Sequence, residues 1–79
     1  MIIDSPEKAR EWIDDWKRAK HSELSYLYPF YRSRLKRLIA GFRNNLRDYE
    51  VLGYTESAEN TREILAVLEA AAAELEDCA

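Results

Sequence analysis

The residues able to carry covalent or acid–base chemistry are few and badly placed for it. His21 is the sole histidine and Cys78 the sole cysteine. One of each cannot complete a four-ligand zinc site, and a lone thiol excludes a disulfide within the chain. Asp14 and Asp15 are neighbours, so on a helix their carboxylates diverge and share neither a proton nor a metal ion. Glu69, Glu74 and Asp77 lack the Glu-x-x-His companion that helical di-iron sites use. Cys78 follows Glu76 and Asp77, whose charges disfavour a reactive thiolate. No glycine-rich phosphate loop occurs. The expectation is therefore no enzyme activity, no metal and no cofactor.

What remains is the chemistry of recognition. The segment YLYPFYRSRLKR, residues 26–37, places Tyr26, Tyr28, Phe30 and Tyr31 ahead of four cations. Residues 29–47 carry Arg32, Arg34, Lys36, Arg37, Arg43 and Arg47 and no acid, a charge of +6. Residues 55–79 carry seven acids against Arg62, a charge of −6. At helical spacing Arg32, Lys36, Arg43 and Arg47 form one stripe. Glu56, Glu59, Glu63, Glu74 and Asp77 form another, nearly opposite an apolar face. Two readings follow. The cations bind a partner, with Tyr28 and Phe30 beside Arg34 and Arg37 as the Tyr/Arg mixture of a hot spot. Alternatively the two stripes pair with each other, within a hairpin or across a dimer.

The elements that position these residues are helical. Ala, Leu, Glu, Arg and Lys dominate, against two Gly and two Pro, and these are strong helix formers. Ser5-Pro6-Glu7 reads as an N-cap, a first-position proline and an acid at the positive end of the dipole. Ala9, Trp12, Ile13, Trp16 and Ala19 follow at helical spacing. The polar run 20–23 leaves open whether this helix frays there or continues towards Tyr28. Pro29 starts a second helix, with Tyr31, Leu35, Leu38, Phe42, Leu46 and Tyr49 as its apolar stripe. Gly41 interrupts that helix and suggests a close backbone approach. Leu52-Gly53 is the stop signal. Thr55 or Ser57 caps a third helix, whose inner face is Ala58, Thr61, Leu65, Leu68, Ala72 and Leu75, widened by Ile64, Val67 and Ala71.

These spacings predict an all-α fold. It is a small antiparallel three-helix bundle over residues 1–79, with a long hairpin made by helices 2 and 3. A 9.3 kDa chain with neither disulfide nor metal has little core to stabilise it, so a homodimer is expected, with Trp12, Trp16, Tyr31 and Phe42 near its interface. No apolar run spans a membrane, and a free thiol without a leader reads as cytoplasmic. The functional expectation is a helical module that binds another protein as an adaptor, regulator or inhibitor. The alternative is a nucleic-acid binder using the basic stripe of the second helix. Partner contacts are expected at Tyr28, Phe30, Arg32, Arg34, Lys36, Arg37, Arg43 and Arg47.

Overall fold

The computed structural model describes residues 2–77, with side chains for residues 2–75. Cys78 lies outside that range, and so does the side chain of Asp77 in the acidic stripe. Helix α1 spans Pro6–Ala19, and the Ser5 side chain accepts from the Lys8 backbone N–H at 3.2 Å. The cap and the proline stand where the sequence puts them, because both answer to the unpaired N–H groups of a first turn.

At its other end α1 stops at Ala19. The Ser22 hydroxyl donates to the Ala19 carbonyl at 3.1 Å and accepts from the Leu24 N–H at 3.1 Å. A serine that satisfies local backbone groups competes with helix continuation, which decides the point the sequence left open. The chain then tightens into a 3₁₀ helix, η1, at Ser25–Phe30 with Pro29 inside it, and α2 starts at Tyr31 rather than at Pro29. Proline removes one donor and disfavours α geometry before it. The chain accommodates Pro29 in a short i→i+3 helix rather than an open loop.

Helix α2 runs Tyr31–Leu52 and ends in a left-handed Gly53 with φ 78°. The Tyr54 N–H donates to the Tyr49 carbonyl at 2.9 Å and the Gly53 N–H to the Glu50 carbonyl at 3.3 Å. Those two bonds define a Schellman motif, completed by the Tyr49–Tyr54 ring contact at 6.3 Å. Helix α3 follows at once, Thr55–Asp77. Thr55 is its first residue, and the Tyr54 carbonyl accepts the opening bond from Ala58 at 2.9 Å. The capping position expected at Thr55 or Ser57 thus falls earlier, because the glycine turn delivers the chain directly into the helix.

Helices α2 and α3 form the expected antiparallel hairpin and pack closely along their length. Arg43 meets Glu69 at 3.3 Å and Arg62 meets Glu50 at 3.8 Å across it. Helix α1 lies on α3 rather than on α2 and runs parallel to it. Asn60 Nδ2 donates to the Asp4 carbonyl at 2.8 Å near one end, and Lys17 Nζ meets Glu74 at 3.2 Å near the other. The shared core is Ala9 and Ile13 from α1, Tyr31, Leu35 and Ile39 from α2, and Ile64, Leu65, Leu68 and Ala71 from α3. Ile39, absent from the expected stripe, is buried, whereas Leu38 is only half-buried. Thr61 is buried too, and its hydroxyl donates back to the Ser57 carbonyl at 2.8 Å. No described helix is long and apolar enough to cross a membrane.

Gly41 is not at a close approach. A Cβ built there meets nothing within 4 Å, so the glycine weakens α2 without a packing reason inside this chain. Gly41→Ala is expected to raise stability by roughly 0.5–1 kcal/mol. Gly53→Ala, at positive φ, is expected to lose about 1 kcal/mol or more. Thermal melts of the two variants should shift in opposite directions; a lowered melting temperature for Gly41→Ala would refute the first assignment, and an unchanged or raised one for Gly53→Ala the second.

Candidate functional site

The site is built around one aromatic side chain. Tyr31 opens α2 and is 2% exposed. Its ring stacks on Trp16 at 5.6 Å and 19°, and tilts against Trp12 at 5.6 Å. Trp12 and Trp16 meet edge-on at 6.0 Å, one turn apart on α1, and Tyr28 of η1 lies 5.7 Å from Tyr31. Aromatic pairs at these separations contribute beyond their burial. The cluster ties three elements together where the backbones of α1 and α2 do not pack.

Between α1 and α2 a groove of about 550 Å³ is left open. Trp12 and Trp16 form one wall, and Leu38 and Phe42 of α2 face them. Gly41 and Asn45 continue the α2 wall, and Arg34 and Arg37 are its charged lining residues. The side-chain-free Gly41 widens this wall, so the glycine that weakens the helix also shapes the groove.

The expected site residues divide into three groups. Arg34 and Arg37 line the groove, together with Trp12, Trp16 and Phe42 from the expected dimer interface. Phe30 is 56% exposed at the foot of α2, one turn before Arg34. Arg32, Lys36 and Arg47 are exposed, whereas Arg43 is engaged with Glu69. Among the described residues, no carboxylate lies within salt-bridge distance of Arg32, Arg34, Lys36, Arg37 or Arg47. Among the described residues, pairing across the hairpin thus takes up one of the six α2 cations, Arg43.

Two expected roles change. Tyr31 offers almost no area to a second chain, because its own aromatic cluster covers it. Tyr28 is half-buried against that cluster, and Lys20 Nζ stands 5.4 Å over its ring. The freer aromatic is Tyr26, 68% exposed, near Leu24 at 51%. A helical wheel could not separate Tyr26 from Tyr28, because η1 has three residues per turn rather than 3.6. Asn45 carried no signal in the sequence, and Leu38 and Gly41 were expected as apolar stripe and close approach rather than as groove lining. Periodicity shows which face is apolar but not which neighbour leaves it uncovered.

Comparison of this chain with protein-family models, curated proteins and solved structures finds no match.

The Tyr31 hydroxyl is buried and has no hydrogen-bond partner among the described residues. Burial, then Tyr28, Glu74 and Asp14, pushes its pKa from 10.0 up to about 12. Removing an unpartnered buried hydroxyl loses no hydrogen bond. Tyr31→Phe should therefore be neutral or slightly stabilising near neutral pH, and Tyr31→Ala should cost about 3–5 kcal/mol. A raised folded-state pKa means the contribution is whole below pH 10 and is lost as pH rises towards 12. The wild type should thus lose stability relative to Tyr31→Phe across that window. Parallel melting curves of the two proteins from pH 9 to pH 12 would refute the assignment.

Proposed function

We propose that this chain is a non-catalytic helical module that binds another protein and thereby adapts, regulates or inhibits it. The observation that carries the reading is one face of α2 and its approach. Phe30, Arg34, Arg37, Gly41 and Asn45 step along it by four, three, four and four residues. Phe30 is exposed, the two arginines have no described carboxylate partner, and the last two positions open onto the groove. An exposed aromatic beside unpaired guanidinium groups is the composition of interface hot spots. Holding arginines without acids and leaving a glycine in mid-helix both lower stability, and neither helps the core.

A second reading, nucleic-acid binding, draws on the same exposed cations of α2. Against it stand the net charge of −3 and the acids of α3, which repel phosphates approaching from that side.

Both readings meet one pair of experiments. Immobilised wild type is used to capture a partner from the native host, and affinity is then measured with the purified partner. Phe30→Ala, and Arg34→Ala with Arg37→Ala, should each weaken binding about thirtyfold or more with melting temperatures nearly unchanged. Tyr31→Phe serves as a control that should bind normally. Unchanged affinity in both surface variants would remove the proposed face. Titration against random duplex and single-stranded DNA tests the rival: affinity that falls steeply with salt would favour it.

A further inference from the structure

From the groove between α1 and α2 we infer the chemistry of the partner: it docks an acidic amphipathic helix of another protein. This rests on the protein-binding reading above and adds to it the place and the class of ligand.

The groove has two helical walls and is missing the rod that would fill the space between them. Its stretch of α2 from Arg34 to Asn45 is about 16 Å long at 1.5 Å per residue, or three helical turns. That length suits a short helix and is long for a single side chain. Trp12 and Trp16 on one wall and Leu38 and Phe42 on the other, each pair one turn apart, supply apolar walls of the kind that receive the i, i+3, i+4 and i+7 side chains of an amphipathic helix. Gly41 presents no Cβ, and a Cβ there would meet nothing within 4 Å, so an incoming backbone can approach α2 closely at that point.

Charge selects among amphipathic helices. Among the described residues, the charged ones lining the groove are Arg34 and Arg37, and no acid lines it. Neither arginine has a described carboxylate partner within the chain. Guanidinium groups at the edge of an apolar channel favour carboxylates flanking the ligand's apolar stripe, by charge-assisted hydrogen bonds. A basic helix would instead meet like charge at both positions.

A second copy of the chain is a poorer occupant. The acidic helix α3 already spends its apolar face, Ala58, Ile64, Leu65, Leu68 and Ala71, in its own core. The exposed large apolar side chains sit in turns and ends instead: Ile2 ahead of α1, Leu24, Tyr26 and Phe30 around η1, and Val51, Leu52 and Tyr54 at the hairpin tip. None of these sets makes an acidic helical stripe.

Both tryptophans of the chain line the groove, so their fluorescence reports its occupancy directly. The probe is a synthetic four-turn peptide without aromatic residues, bearing leucines on one face and glutamates on its flanks. Its comparator keeps the leucines and replaces every glutamate by lysine. The acidic peptide should shift the tryptophan emission saturably, and the basic peptide should bind at least about tenfold more weakly. Arg34→Glu with Arg37→Glu should reverse that preference. Gly41→Leu should plug the groove, abolish the shift and leave the melting temperature at or above wild type. A merely structural glycine would not produce that combination.

Four results would overturn the proposal: no shift with either peptide, equal shifts with both, a shift that survives Gly41→Leu, or a single-stranded oligonucleotide that outcompetes the acidic peptide. Emission that moves with protein concentration alone and is abolished by Gly41→Leu would assign the groove to a second copy instead. The captured partner's dependence on Phe30 is measured without the peptide. If that dependence holds while the peptide fails, the groove assignment falls and the broader reading stands.

Discussion

The packing of Trp12 and Trp16 against Tyr31 is the contact on which the arrangement of α1 depends. A two-helix hairpin has its own interface, and α2 and α3 share one along their length. Helix α1 has only 14 residues, and Ala9 and Ile13 are its buried ones. Its polar ties to α3, through Asn60 and through Lys17–Glu74, are exposed and are worth little individually. The stack of Trp16 on Tyr31 and the tilted contact of Trp12 join α1 to the start of α2 through large apolar surfaces. Those rings bury far more area per residue than the alanines around them. Tyr31 can stand there because η1 and Pro29 bring the chain back to that end of α1 before α2 begins.

The same contact also explains why a groove remains. Bulky rings at Trp12, Trp16 and Tyr31 hold the α1 and α2 backbones apart, while small residues on the α1–α3 side, Ala9 and Ala71, are buried in the core. Asymmetric side-chain size tilts α1 towards α3 and away from α2. Further along, Gly41 contributes no side chain to the gap. The opening is thus a consequence of residue volume, and the volumes that cause it also line it. Arg34 and Arg37 then place positive charge beside an apolar channel with no carboxylate partner among the described residues. Stability is not maximised here. A larger residue at position 41 would make a better helix, and an acid facing Arg34 would make a better monomer.

The terminal signals were legible in the sequence because they are local. Ser5-Pro6 and Leu52-Gly53 each solve the problem of unpaired backbone groups within four or five residues, and no distant contact can overrule them. The all-α class and the hairpin were legible for a related reason: the apolar stripes of residues 31–49 and 58–75 repeat at helical spacing over enough turns to exclude a strand. Tertiary structure decided what depends on neighbours. The exposure of Tyr26, the half-burial of Tyr28 and the burial of Tyr31 follow from a 3₁₀ turn whose existence rests on where α1 stops. Gly41 signals a small residue at a helical position in either case, and only the placement of α1 shows that it faces an open channel rather than a packed backbone. The +6 of residues 29–47 and the −6 of residues 55–79 were countable from composition. Which cations meet an acid was not, because pairing depends on the rotation of each helix about its axis, and that rotation is set by the core.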